Sequence, residues 1–336
     1  MRRLTAVLLA ASLATSLAAC APTLQRVGRP KAIFAGPRLG VDAFLSFDGE
    51  RLGLTRWEAA DGAPWAVIVG VHGMNDYANA FHLAARWWAR QGITTLAYDQ
   101  RGFGRSPERG IWAPDDIRTE DLRTIVALAR AAYPGATIAV AGESLGGAVA
   151  IDAFASARPP AADRLILLAP AVWGWSKQPL AYRAALWMAA RAAPGAIVSP
   201  PSWLVRKVGP TDNRAEMFEM SFDPLMAYGV RFDALYGLVS TMESAWRRIG
   251  AITAPALFLY GAKDQIIPRA AVNSAAARLK AGDRSACYAE GHHLLLRDLQ
   301  AFNVWRDTVA FIREPDAPLP SGAPPLPCPR LRRGRP

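Results

Sequence analysis

Six consecutive residues, Gly142-Glu143-Ser144-Leu145-Gly146-Gly147, have the types and spacing that present a serine as a nucleophile. An apolar, β-branched run over 137–141 feeds them, and an alanine-rich stretch over 147–157 leaves them. A strand into the serine and a helix out of it is the context that the G-x-S-x-G pattern requires. A serine at so sharp a turn sits in strained backbone, and Gly142 and Gly146 let neighbouring chain come close. The turn lifts Ser144 Oγ clear of the sheet. It also aims the first amides of the following helix at negative charge forming beside it. The pentapeptide alone is common by chance, so its weight depends on partners elsewhere.

A serine hydroxyl needs a base within reach and a group that fixes the base's tautomer. After such an elbow the chain order is serine, acid, histidine, with both partners on loops following later strands. Asp264 is the acid candidate, in Gly261-Ala262-Lys263-Asp264 directly after the strand-like run 256–260. The histidine candidate lies in Gly291-His292-His293-Leu294, after the run 286–288, and residue types alone leave His292 and His293 both open. Asp264 and His293 are 29 residues apart, the span of one helix and one strand. The bland reading of Asp264 is a turn former. Asp99 and Asp298 are rival acids; Asp298 reads better as the start or cap of the last helix. His82 reads as a helix-face residue. No grouping of His, Cys or carboxylates has metal-ligand spacing, so neither metal nor cofactor is expected. The segment 102–104 lacks the lysine of a phosphate cradle. Donors for a tetrahedral oxyanion would be the Leu145 amide and one from the loop after the strand ending at Val71.

The elements that must position these residues alternate from Ala43 onward. A hairpin over 43–47 and 52–58 surrounds the turn Asp48-Gly49-Glu50. Buried strands at 66–71, 93–98, 137–141 and 164–168 alternate with helical patterns at 81–90 and 117–132. This predicts the α/β class, a mostly parallel central sheet with helices on both faces. From about 171 to 250 the pattern is helical, broken at Pro194, Pro200, Pro201 and Pro210. It reads as an inserted helical lid. Its Trp173, Trp175, Trp187, Met188, Trp203, Phe218, Met220 and Phe222 either line an acyl-binding tunnel or form the lid's own core. Alternation resumes at 256–260 and ends in a helix over 299–312. Residues 314–336, rich in Pro and Arg, are expected to be a disordered tail.

At 336 residues the chain can bury one large core, or one domain with an insertion. Its formal charge is +11, but Arg2, Arg3, Arg330, Arg332, Arg333 and Arg335 lie at the two ends, and without those six it falls to +5. No basic stripe remains, which excludes nucleic acid as a partner. Arg2 and Arg3 precede an apolar stretch over 4–17 that is too short to span a bilayer, so 1–19 reads as a signal peptide. The sequence Leu17-Ala18-Ala19-Cys20 resembles a bacterial lipoprotein lipobox. That resemblance implies that Cys20 becomes the lipid-modified first residue and anchors the protein to a membrane, with 20–42 as a tether. The alternative is an ordinary cleaved signal with a chance cysteine. Ala21 in place of Asp resembles the Gram-negative sorting signal for the outer membrane, which implies its periplasmic face. Cys287 reads as a small buried hydrophobe, and a structural bridge to Cys328 is not expected.

The motifs together resemble the α/β-hydrolase family, within its monoacylglycerol lipase/lysophospholipase-like group. The resemblance runs over 43–313. It rests on His72-Gly73-Met74, on the run from Tyr98-Asp99-Gln100-Arg101-Gly102 to Ser106, on the elbow, and on the segments around Asp264 and His293. It implies the catalytic set Ser144, Asp264 and His293, because the family places its histidine two residues after the last glycine. It implies Met74 as the second oxyanion donor beside Leu145, and structural duty for Asp99 and His72. Two departures bear on substrate: Met74-Asn75-Asp76-Tyr77 replaces a usual Glu-His pair, and Glu143 stands where many members have His. The expected activity is a serine ester hydrolase forming an acyl-enzyme, with a small acyl ester as substrate, a monoacylglycerol or lysophospholipid. A serine at the elbow excludes epoxide hydrolase and haloalkane dehalogenase chemistry, which need Asp there. An aminopeptidase is the first alternative; Glu216, Glu219, Asp223 and Glu243 could hold its substrate's free amine. A non-catalytic lipid-anchored binding protein is the second.

Overall fold

The computed structural model describes residues 22–30, 33–199 and 208–329. The expected signal peptide and lipidation site at Cys20, with Trp203 and the arginines after Pro329, lie outside the described residues. Nine strands form one sheet. In chain order they are β1 (Arg38–Leu39), β2 (Ala43–Leu45), β3 (Arg51–Trp57), β4 (Ala66–Val71), β5 (Ile93–Tyr98), β6 (Thr137–Glu143), β7 (Arg164–Leu168), and then β10 (Ala256–Gly261) and β11 (Arg284–Tyr288). The sheet order is β1-β2-β3-β5-β4-β6-β7-β10-β11. The first three strands are antiparallel, and everything from β5 to β11 is parallel. Every residue of β4, β5 and β10 is buried. Continuous Val/Ile/Leu runs are what a parallel sheet covered on both faces demands.

On one face α1 (His82–Ala89) packs against α8 (Ala301–Arg313), the last helix, which follows α7 (Arg269–Ala276) in the chain. On the other, α2 (Asp115–Ala132) and α3 (Leu145–Phe154) pack together. Glycine and alanine dominate α3 because it lies directly on the sheet, and all ten of its residues are buried. This is the α/β-hydrolase fold.

Between β7 and β10 the chain forms α4 (Leu180–Ala192), the short antiparallel pair β8 (Ile197–Val198) and β9 (Val230–Arg231), α5 (Arg214–Phe222) and α6 (Phe232–Arg248). The breaks at Pro194 and Pro210 fall between α4 and α5, as their missing amides require. The end of the insertion differs from expectation. Helix α6 packs on α3, and its Leu238, Met242 and Ala245 are buried in the common core, so it belongs to the layer covering the sheet. Several aromatics of the insertion do not make a core for it either: Trp187, Phe218 and Phe222 are exposed.

The expectation of a disordered tail is corrected for Glu314–Pro329. This segment lies along β11, the last strand of the sheet. Pro324 O accepts from the Cys287 amide at 2.8 Å, and the Leu326 amide donates to Ser285 Oγ at 3.0 Å. Cys287 and Cys328 form a disulfide with Cα atoms 5.3 Å apart, against the expectation of no structural bridge. An uncovered strand edge exposes unpaired backbone groups, and a Pro-rich segment can cover one without regular structure. Residues 22–30 are mostly exposed but are pinned at buried Gln25, which donates through its side chain to Ile111 O at 2.9 Å and through its amide to Trp112 O.

Candidate active site

Ser144 adopts φ 51° and ψ −114° at the junction of β6 and α3. Such a conformation costs a non-glycine residue about 1–3 kcal/mol, which its surroundings must offset. They do so by hydrogen bonding. The Ser144 amide donates to Leu168 O at 3.0 Å, and its carbonyl accepts from Ala171 N and Ala148 N. The flanking glycines are needed for space. A Cβ on Gly146 would lie 2.0 Å from Val71 O, and one on Gly142 would lie 2.6 Å from Gly146 O. Leu145 is the first residue of α3, so its amide has no carbonyl one turn earlier to bond.

The loop carrying Met74 runs beside the serine. A Cβ on Gly73 would lie 3.3 Å from Ser144 Cβ and 3.9 Å from its Oγ. His72 orders this loop. Its Nδ1 lies 2.7 Å from Gly73 O, and its Nε2 accepts the Gln100 amide at 2.8 Å. The proton therefore sits on Nδ1. Burial pulls the His72 imidazole below its usual range, in keeping with a neutral structural ring. Asp99 also has a structural role, accepting from Ala78 N and from the Arg105 amide and guanidinium.

Asp264 follows β10 and His293 follows β11, two parallel neighbours, so both stand at the sheet end that carries Ser144. Their loops are tied by Ala262 N to Tyr288 O and Lys263 N to Gly291 O, each at 2.9 Å. His293 Nδ1 lies 2.9 Å from Asp264 Oδ2, and the Asp264 side chain is fully buried. A carboxylate only accepts, so Nδ1 carries the proton and Nε2 keeps a lone pair. Asp264 Oδ1 accepts from the amides of Ile266 and Ile267. Burial alone would depress the His293 imidazole. The charge and hydrogen bond of Asp264, with a smaller contribution from Glu143, outweigh it and leave His293 raised above its ordinary 6.5.

Asp298 does not cap α8 with its side chain, contrary to expectation. Its Oδ2 accepts the His292 amide at 2.6 Å, which fixes the histidine loop. Two groupings among the described residues bring imidazole and carboxylate atoms within reach of one ion: His82 with Glu216 and Glu219, and His292 with Asp212 and Asp298. Each is assembled from separate elements, so spacing along the chain does not reveal it. In the first, His82 Nε2 already lies 3.3 Å from Glu216 Oε1.

Three charged residues beside the site escaped the sequence reading as a group. Buried Arg297 donates to Asp76 Oδ2 and, at 3.3 Å, to Glu143 Oε2. Glu143 is fully buried, and burial pushes its carboxyl up to about 7 despite Arg297. Each sits one to four residues from a motif position, and that placement was the available signal.

A cavity of about 210 Å³ opens from Met74. Phe103, Ile111, Trp112, Ile197, Val230 and Ala234 supply its apolar wall, with Arg109 and Arg231 also lining it. Of the four acids considered for a free amine, three are engaged. Glu216 pairs with His82, Asp223 accepts from Tyr77 OH at 2.6 Å, and Glu243 holds Ser176 and Arg247.

Comparison with known proteins bears on family and fold. The monoacylglycerol lipase of Mycolicibacterium smegmatis is 28% identical over 228 residues, covering 67% of this chain and 79% of its own length. The monoglyceride lipase of Homo sapiens is 25% identical over 264 residues, covering 76% and 84%. The crystal structure of Paleococcus ferrophilus monoacylglycerol lipase has a TM-score of 0.64 at 23% identity, covering 78% of this chain and 98% of its own, a likeness of fold. The family described as serine aminopeptidase, S33 (Hydrolase_4) matches residues 62–300, most of the chain. The protein belongs to that family, as an α/β-hydrolase of serine-hydrolase type related to monoacylglycerol lipases and esterases.

Proposed function

We propose that the protein is a serine ester hydrolase acting on carboxylic esters of the monoacylglycerol or lysophospholipid class. The observation that carries this reading is the buried Asp264–His293 pair at the sheet end that presents Ser144. His293 Nε2 takes the Ser144 proton as Oγ attacks the ester carbonyl. The imidazolium then gives that proton to the leaving alcohol, and water hydrolyses the acyl-enzyme by the same route. Backbone amides of Leu145 and Met74 receive the oxyanion. Such a donor is worth about 10²–10³ in turnover. The 210 Å³ cavity beside Met74 is smaller than the ~300–1,000 Å³ of a whole ligand pocket, so it suits one apolar limb of an ester.

The names of the relatives support an ester, whereas the family description speaks of an aminopeptidase. The engagement of Glu216, Asp223 and Glu243 argues against an amine-binding pocket built from them. The test is a panel of glycerol, phosphoglycerol and aryl esters of graded chain length, with aminoacyl amides included. Ester turnover abolished by Ser144→Ala, with thermal stability nearly unchanged, is the expected outcome. Turnover of amides alone identifies an aminopeptidase. Failure of Ser144 to react with a fluorophosphonate probe identifies a binding protein.

The proposal includes export and anchoring through a lipid on Cys20 at the periplasmic face of an outer membrane. The Cys287–Cys328 disulfide supports an oxidising compartment. No helix among the described residues is long and apolar enough to cross a membrane.

A further inference from the structure

Arg297 follows His293 by four residues, and the step Leu294-Leu295-Leu296 buries its guanidinium beneath the elbow. Nη2 donates to Asp76 Oδ2, on the loop that carries Met74, and to Glu143 Oε2, the residue before Ser144. Nη1 lies 3.5 Å from Met220 Sδ, and the Arg297 carbonyl accepts from Asn213 Nδ2 at 3.0 Å. One buried cation thus joins the nucleophile loop, the loop of Met74 and the histidine loop, and also touches the insertion.

Stability does not account for this arrangement. Desolvating two carboxylates and a guanidinium is costly, and apolar packing of the same volume is often as good or better. The charge count is also uneven, with one cation against two acids. Glu143 Oε1 is buried and has no hydrogen-bond partner, so part of that carboxylate is left to act through space. The charged groups that face Glu143 are Arg297, Asp76, His293 and Asp298. His293 is the member of that set whose charge changes during ester hydrolysis, when it takes the proton from Ser144.

We propose that Arg297 and Glu143 are positioning residues for this reaction. Arg297 holds the Met74 loop and the elbow in register with the histidine loop, and Glu143 stabilises the imidazolium form of His293 through space. The inference rests on the serine hydrolase reading above. It explains why a carboxylate occupies the site beside Ser144: once ionised, its negative charge favours proton transfer to His293, and Arg297 favours that ionised form in the buried site.

Near-isosteric variants of the full chain test it, with folding checked by circular dichroism and thermal melting. Glu143→Gln keeps an acceptor for Arg297 and removes the charge. The acid limb of its kcat/KM profile is expected to move down by about half a pH unit or more. Asp76→Asn and Arg297→Lys loosen the Met74 loop. Their kcat is expected to fall about tenfold or more with KM within about twofold, the mark of an interaction made in the transition state. An active wild type whose acid limb is unmoved by Glu143→Gln, and whose kcat survives the other two changes, overturns the inference alone. A wild type inert to esters and to a fluorophosphonate overturns the hydrolase reading and this inference together.

Discussion

At the scale of single residues, the chemistry turns on where one proton sits. His293 holds its proton on Nδ1 against Asp264, which leaves Nε2 free to act as a base. Its raised imidazole fixes the sign of the pH dependence. In the proposed mechanism the neutral form is the competent base, so activity is expected to be full well above the raised value and to be lost as pH falls through it. The acid limb of kcat/KM therefore falls above the ordinary 6.5 of a free imidazole. Asp264→Asn removes the charge that raises His293 and lets the ring take the wrong tautomer. The variant should lose about two to four orders of magnitude in kcat/KM, and its remaining activity should show an acid limb moved to lower pH. Steady-state profiles from pH 5 to 9 on one soluble ester measure both effects; an Asn variant with wild-type activity would remove Asp264 from the reaction. Burial also draws Glu143 toward neutrality near pH 7, so the acid limb of the wild type is a coupled titration rather than one residue's own curve.

At the scale of elements, legibility in the sequence followed burial and spacing. Strands β4, β5 and β6 stand out because parallel strands covered on both faces are written in apolar and β-branched residues, with only Thr94 and Thr95 inside β5 and Thr137 and Glu143 at the ends of β6 as exceptions to an apolar run. The elbow was legible because a serine at positive φ needs small neighbours, and Gly142 and Gly146 fill positions where a Cβ would strike backbone. The contacts of Arg297 were not legible, since they join residues 221 and 154 positions apart and no periodicity records such a pairing. The 314–329 segment misled for a different reason. Its Pro-rich composition reads as disorder, yet β11 offers an edge for it to cover, and Leu319 and Cys328 are buried there. The disulfide closes a loop 41 residues long, for which chain entropy gives a stabilisation of about 4 kcal/mol as an upper bound. Cys328→Ser, or reduction of the wild type, should lower the melting temperature by several degrees. It should also expose the Cys287 amide to hydrogen exchange, because Pro324 no longer stays on that amide. A melting curve unchanged by the substitution would show that the strap holds by its other contacts, Arg284 to Ala317 and Ser321 to Asp307.

At the scale of the whole molecule, the proposed function raises the question of where the protein would meet an ester. No described helix is long and apolar enough to cross a membrane, and the anchor proposed above lies in the first twenty residues. A lipid on Cys20 would supply it: each buried methylene is worth about 0.8 kcal/mol, and several acyl chains on one residue hold firmly where a single chain would exchange. Two contacts of residues 22–30 bear on geometry. Thr23 N donates to Asp233 Oδ2, and Gln25 is bonded to the 107–112 loop, so on this proposal the folded domain would begin within a few residues of the lipid. A tether that short would keep the domain close to the bilayer surface. There the local concentration of monoacylglycerols or lysophospholipids far exceeds that in bulk water. Two measurements follow in one expression host. Metabolic labelling with a fatty acid should mark the wild type and not Cys20→Ala. The variant should leave the membrane fraction with its turnover of a short-chain soluble ester intact, and should lose turnover of long-chain esters presented in vesicles. Equal vesicle activity from the two proteins would show that the anchor is not what brings this active site to its substrate.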